Sequence, residues 1–282
     1  MEEFLNMNEK QTEKMEGAIT HMINDILEGT NVYVVGVGGC GCNTVEYITK
    51  QKMANVKTMG INTDKNVVNG LDVNVQILIG GELTKGEGTL GDSNLGKRAA
   101  ELNEEQILNA LDDADMVVIV AGLGGGTGSS ASKIIAELAR RNGKLVVSYA
   151  IMPFSAEEDR HKKAKKHLKE LSWASNATTV FENDKLVKMY ADKPINEAMK
   201  LPGRMLHQLV NRLQMDCLVE FFQQCGVSTE TQNEIYSEME PELSEHKMYA
   251  NAPMIKALGY ENGSSKEYEI PRLDSFLENY SL

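Results

Sequence analysis

From Asn31 onward, short apolar runs alternate with longer segments whose apolar residues recur every three or four positions. The runs NVYVVGVGG from Asn31, VKTMGINTD from Val56, VQILIGG from Val75, DMVVIVAG from Asp115, KLVVSYAIMP from Lys144 and ATTVFEN from Ala177 read as strands. The segments between them read as helices. TVEYITKQKMA is one. NLGKRAAELNEEQILNALDDA is a second, with Ala99, Leu102, Ile107 and Leu111 near helical spacing. SSASKIIAELARRNG places Ile134, Ile135 and Leu138 on one face and ends at Gly143. AEEDRHKKAKKHLKELSWAS is a charged amphipathic helix whose Lys162–Lys169 run forms a solvated face. This alternation predicts an α/β fold: a doubly wound, mostly parallel sheet with helices on both faces. Ligands of such sheets sit beyond the carboxyl ends of the strands, here the loops after Val35, Ile61, Ile79, Val120, Ile151 and Phe181.

Two of those loops are rich in glycine. VIVAGLGGGTGSS (Val118–Ser130) leaves an apolar strand and drops nearly all its side chains. Such a loop aims backbone N–H groups, and the positive end of the next helix, at an anion. Thr127, Ser129 and Ser130 add hydroxyl donors. The second loop, GVGGCGCN (Gly36–Asn43), matches the dinucleotide fingerprint only loosely. Asp64 lies near the offset at which a Rossmann enzyme holds a ribose, so a nicotinamide cofactor is one reading. A nucleoside triphosphate, longer and more highly charged, gives both loops work. The Walker pattern is absent.

Composition narrows the partners. A formal net charge of −12 over 282 residues argues against a general nucleic-acid binder. No apolar run approaches a membrane span. The four cysteines, Cys40, Cys42, Cys217 and Cys225, form neither a disulfide framework nor a zinc pattern, so no metal site is expected and the expected setting is cytoplasmic.

AGLGGGTGSS resembles the GGGTG[ST]G signature of the tubulin/FtsZ superfamily, with Ser130 in place of its last glycine. VVGVGGCGCNTV, GINTDKNVV, LTKGEGTLGDSNLGKRAAE, YAIMPFSAEEDRHKKA and FENDKLVKM resemble further FtsZ segments in the same order, across about residues 31–225. The resemblance implies a bound GTP or GDP, with Mg2+ accompanying GTP. It implies that Gly38, Gly39, Cys40, Gly41 and Cys42 pass under the base and α-phosphate, with Asn43 at the base end. Thr89, Leu90 and Gly91 would meet the γ-phosphate, and Gly124, Gly125, Gly126, Thr127 and Gly128 would wrap the phosphates. Pro153 and Glu157 would face the ribose with Arg160 or His161 nearby, and Asn183 would bond the guanine.

Three departures from the family pattern stand out. Met199 and Arg204 occupy the places of an aromatic and an Asp that contact guanine, and arginine has no acceptor for the guanine edge. Pro202-Gly203 interrupts the long central helix. Ser228 and Thr231 stand where water-positioning carboxylates belong, leaving Glu230 and Glu234 as catalytic candidates or as a solvated acidic loop, so GTP hydrolysis stays open. The expected organisation is an N-terminal helical extension (1–30), a nucleotide-binding domain (31–195), a central helix (196–226) and a reduced C-terminal segment or tail (227–282). In the extension, Met15, Ile19, Met22, Ile23, Ile26 and Leu27 form a helical apolar stripe for its own domain, a partner subunit or a membrane surface. The resemblance implies self-association or an FtsZ-like partner, with a membrane-associated adaptor as a further partner, in division, cell shape or membrane remodelling. The alternative is a non-polymerising nucleotide-binding regulator.

Overall fold

The six apolar runs form one parallel sheet in a computed structural model that describes residues 29–189 and 194–224. The strands are β1 (Val32–Val37), β2 (Val56–Asn62), β3 (Val75–Leu78), β4 (Met116–Gly122), β5 (Leu145–Met152) and β6 (Ala177–Glu182). Their order across the sheet is β3-β2-β1-β4-β5-β6. β1 is central, with Val32 beside Val56 of β2 and Met116 of β4. Helices cover both faces, so β4 is buried from Met116 to Ala121 and its sequence is continuously apolar rather than alternating.

The helices are α1 (Gly38–Gln51), α2 (Lys65–Gly70), α3 (Gly81–Thr84), α4 (Ser93–Leu102), α5 (Glu104–Ala110), α6 (Thr127–Arg141), α7 (Glu158–Ala174), α8 (Asp184–Met189), α9 (Ile195–Ala198) and α10 (Leu201–Gln224). Successive β1 residues point to opposite faces. Tyr33, Val35 and Val37 join the larger core with Ala99, Ile107, Ile135, Leu138 and Leu171 from α4 to α7. Val32 and Val34 face the other way, where α1 supplies Cys42, Val45 and Ile48.

Two expected elements differ. The glycine-rich stretch read as a loop is already helical from Gly38, so α1 starts six residues earlier than expected, its poor helix formers overridden by packing. The helix expected over residues 94–114 is two helices. Asn103 separates them, with its side-chain Oδ1 accepting the Gly80 N–H at 2.8 Å. The interruption expected near Pro202-Gly203 is present: α9 ends at Ala198 and α10 starts at Leu201, with Pro202 in its first turn, where its missing N–H costs no helical bond.

The chain divides into two compact units, residues 30–210 and residues 1–29 with 211–282. The sheet and the site below belong to the first. In the described part of the second, Arg212 Nε lies 2.9 Å from the carboxylate of the buried Asp216 one turn on. The N-terminal stripe, Ser228, Glu230, Thr231, Glu234 and the 227–282 segment lie outside the described residues.

At the amino ends of the strands, Asp113 accepts hydrogen bonds from the Tyr33 hydroxyl and the Lys57 ammonium. These bonds hold its carboxyl below the usual carboxylate range. A depressed carboxyl stabilises the fold above its unfolded value and loses that contribution as pH falls through the folded value. About half of the Asp113 side chain is exposed, so Asp113→Asn is expected to cost well under about 1 kcal/mol at neutral pH. The difference from wild type in thermal midpoint should shrink as pH falls below the usual carboxylate range and Asp113 takes up its proton. A difference that persists there would mean packing, not charge, is what Asp113 supplies.

Candidate functional site

The sheet order reverses direction between β1 and β4. The chain leaves β1 toward β2 and leaves β4 toward β5, so the loops at these two carboxyl ends diverge and open a crevice. Two long helices start there, α1 directly after β1 and α6 shortly after β4. Neither has a side-chain cap: Val37 and Gly126, the residues before them, offer no side-chain acceptor to the first-turn N–H groups. The neighbouring α2 and α4 are capped by Asp64 and Asp92, each accepting from two backbone N–H groups. The crevice therefore faces two uncapped helix amino ends, the arrangement that attracts an anion.

The glycines explain how the two loops come so close. Gly38 has φ +72°, and a Cβ there would stand 2.8 Å from the backbone N of Gly128. A Cβ on Gly128 would stand 2.6 Å from the Gly122 carbonyl oxygen, and one on Gly41 would stand 2.2 Å from that of Val120. Gly126 lies against Thr89, with the place of its absent Cβ 2.1 Å from the Thr89 hydroxyl oxygen. By contrast, a Cβ on Gly39, Gly91 or Gly125 would meet no atom within 4 Å, so these three border open space. The walls are glycine where backbones touch and glycine again where the crevice is empty. A phosphate chain fits such a surface because backbone can approach it without side chains intervening.

Hydroxyl groups set the loop after β4. Ser129 Oγ accepts the Gly124 N–H at 2.8 Å, and Ser130 Oγ donates to the Gly126 carbonyl at 2.8 Å. Both serines are buried and staple the loop; Ser130 commits its hydrogen to that bond, whereas Ser129 accepts in its own and keeps a hydrogen to donate. Thr127 Oγ1 is 2.8 Å from Thr63 Oγ1 and 3.2 Å from Thr89 Oγ1. This ties the loop holding Thr89, Leu90 and Gly91 to the start of α6. Leu90 is 93% exposed at φ +48°, the tip of that loop. Thr63 was not anticipated as a site residue. Its sequence signal was its place in GINTDKNVV, the FtsZ-like segment that ends the second strand.

The remaining expected residues fall unevenly. Cys40 lies over Gly122, whose missing Cβ would be 2.7 Å from the sulfur; the residue is exposed overall, but its thiol turns inward and burial pushes its pKa up. Cys42 points away from the crevice, its sulfur beside the Gly36 and Ile61 carbonyls, and burial pushes that thiol up to about 12. Only its backbone is available to a ligand. Asn43 is exposed on the first turns of α1.

Pro153 and Asn183 follow β5 and β6 at the same edge of the sheet, and the Asn183 N–H donates to Met152. Glu157 accepts the Phe154 N–H and pairs with Arg160, and the Arg160 carbonyl oxygen packs on Gly124 (φ +90°), 2.7 Å from where a Cβ would be. So the start of α7 touches the β4 loop. Met199 is 60% exposed in the turn between α9 and α10, and Arg204 lies 3.4 Å from the Glu197 carboxylate, which also takes Lys200. Asp64, weighed as a ribose ligand, caps α2 through one carboxylate oxygen, Oδ1, which accepts the Asn66 and Val67 N–H groups. A separate groove of about 800 Å3, lined by Lys133, Glu137, Arg140, Glu170 and Trp173, lies toward the far ends of α6 and α7 and mixes charges without a convergent polar group.

This crossover topology and glycine-lined crevice define a doubly wound α/β protein whose strand ends are shaped for an anion. Residues 31–191 match the model of the Tubulin/FtsZ family, GTPase domain, and the chain belongs to that family. It is 42% identical over 180 residues to cell division protein FtsZ 1 of Pyrococcus abyssi, covering 64% of this chain and 48% of the relative. It is 34% identical over 218 residues to cell division protein FtsZ of Methanothermobacter thermautotrophicus, covering 73% and 57%. The chain thus spans about half the length of the curated relatives it matches. Among solved structures, an empty FtsZ dimer of M. jannaschii matches with TM-score 0.61 at 34% identity, covering 66% of this chain and 54% of that one. CetZ2 of Haloferax volcanii in a GTPγS-bound protofilament matches with TM-score 0.59 at 25% identity, covering 66% and 58%.

Proposed function

We propose that this chain binds GTP and GDP in the crevice between β1 and β4 and assembles with copies of itself, as a nucleotide-dependent switch in cell division, shape or membrane remodelling. The observation that carries the reading is the pair of uncapped helices, α1 and α6, whose backbones meet at Gly38 and Gly128. In it, Gly38–Asn43 and Gly124–Gly128 cradle the phosphates, Thr89–Gly91 closes over the terminal one, and Pro153, Glu157, Arg160 and Asn183 border the nucleoside. Among the described residues no three metal-ligating side chains converge. Magnesium would therefore take its place chiefly from phosphate oxygens and water, as this ion commonly does. A carboxylate supplied by Glu230 or Glu234 of a neighbouring copy would orient the attacking water. An FtsZ-like partner or a membrane-associated adaptor is the further partner on this reading.

The test is the nucleotide released when purified protein is denatured, followed by GTP turnover as protein concentration rises. Guanine nucleotide with turnover growing faster than linearly in protein is the expected result. Guanine nucleotide without turnover would replace the assembling enzyme by a binding regulator. A nicotinamide cofactor, or no affinity for guanine nucleotides, would overturn the reading.

A further inference from the structure

Three buried threonines from separate parts of the chain place their hydroxyls in a line. Thr63 follows β2, Thr127 opens α6, and Thr89 lies in the loop before α4. The oxygen separations are 2.8 Å from Thr63 to Thr127 and 3.2 Å from Thr127 to Thr89. Three hydroxyls carry three hydrogens, and two links use only two of them. One hydrogen is left over: on Thr89, on Thr63 or, if both outer hydroxyls donate inward, on Thr127.

The surroundings narrow the choice. Thr63 has no exposed surface, and the described residues offer its hydroxyl no partner besides Thr127. If the line ran from Thr89 to Thr63, a buried O–H would end without an acceptor, a costly arrangement. Thr63 therefore donates to Thr127, which leaves the spare hydrogen on Thr127 or, when Thr127 donates onward, on Thr89. An anion beside Leu90 and Gly91, which border open space, selects the second state, with the Thr89 hydrogen turned toward it. The backbone of Thr63 holds the same loop: its carbonyl accepts the Gly88 N–H at 3.2 Å and the Thr84 hydroxyl at 3.1 Å.

We propose that Thr63 is a positioning residue that polarises the Thr63–Thr127–Thr89 hydroxyl line, so that the Thr89 hydrogen is aimed at the terminal phosphate of a bound nucleoside triphosphate. The inference rests on the nucleotide reading above and adds to it a source of discrimination between triphosphate and diphosphate. Each donor in the line is strengthened by the one behind it, and an oriented O–H meets an anion without reorganisation.

The experiment compares equilibrium dissociation constants for GTPγS and GDP in the full chain and in Thr63→Val, which keeps the shape and removes the hydroxyl. Loss of the Thr63 donor frees Thr127 to turn, and GTPγS affinity is expected to fall about tenfold while GDP affinity stays within about twofold. Thr63→Ser should restore the preference. If Thr63→Val lacks a cooperative melting transition, Thr63→Ser and Thr63→Ala are compared instead, since both lose the methyl and only serine keeps the hydroxyl. Equal weakening of both nucleotides, or no change in either, would overturn the inference and leave the nucleotide reading intact. Wild-type protein that binds neither nucleotide would overturn both.

Discussion

Replacing Gly41 by alanine is expected to lower the thermal midpoint by roughly 6–12 °C, the consequence of about 3 kcal/mol of lost stability in a unit of this size. Helix propensity alone points the other way, since alanine in a helix interior is favoured over glycine by about 1 kcal/mol. Packing decides the sign. Gly41 is buried where α1 crosses β4, and the added methyl would stand 2.2 Å from the Val120 carbonyl oxygen. Both atoms belong to backbone at the centre of the sheet, so neither yields by a rotamer change. α1 would have to lift away from β4, widening the crevice it lines. Gly39→Ala is the control: it lies in the same helix, its methyl meets nothing within 4 Å, and it should stay within about 1 kcal/mol of wild type. Chemical denaturation of both variants settles the matter, and a Gly41→Ala protein as stable as wild type would mean that α1 does not pack on β4 at this distance.

Gly126→Ala should damage binding by displacing the Thr89 loop. Gly126 has φ −81° and ψ −68°, a conformation alanine adopts freely, so the backbone is not strained. The methyl would instead stand 2.1 Å from the Thr89 hydroxyl oxygen and 3.0 Å from the Asp92 N–H. Thr89 must move off Thr127, taking the Leu90–Gly91 tip with it. On the proposed function, GTPγS affinity is expected to fall about 10- to 100-fold, the worth of one or two charge-assisted hydrogen bonds. GDP affinity should fall much less. Equilibrium binding with both nucleotides reads this directly; unchanged GTPγS affinity would remove the Thr89 loop from the site.

The sheet was legible in the sequence because each strand is a short apolar run bounded by turn residues, and the crossover helices carry their own periodicity. Local signals misled where tertiary contacts decide. Gly38–Asn43 reads as loop because glycine is a poor helix former, yet α1 begins there because only residues without side chains fit against Gly128 and Val120. Asn103 divides what periodicity presents as one helix, since nothing in the local pattern says that its side chain bonds the Gly80 N–H. Ser130 looks like a ligand donor in one dimension and spends its hydrogen on the Gly126 carbonyl in three. Thr63 lies in the FtsZ-like segment GINTDKNVV, yet nothing there singles it out, because a hydroxyl line assembled from three distant loops leaves no spacing in the chain. The glycine signature identified the region of the site, but not which side chains turn toward it.

The pairing of β1 with β4 also sets the order in which the molecule can be built. The Asn31 N–H bonds the carboxylate of Asp115, 84 residues later in the chain, and β1 lies between β2 and β4. At ribosomal rates of roughly 5–20 residues per second, β1 waits on the order of 4–17 s after its own synthesis for β4 to be made. In that interval β1, α1 and β2 can associate with β3, since their contacts are local, but the strand edge that will receive β4 stays open. Such long-range parallel pairing is slow to form and exposed while it waits. The crevice has no second wall until β4 docks and α6 follows it, so the ability to hold an anion there arrives only once the sheet has closed.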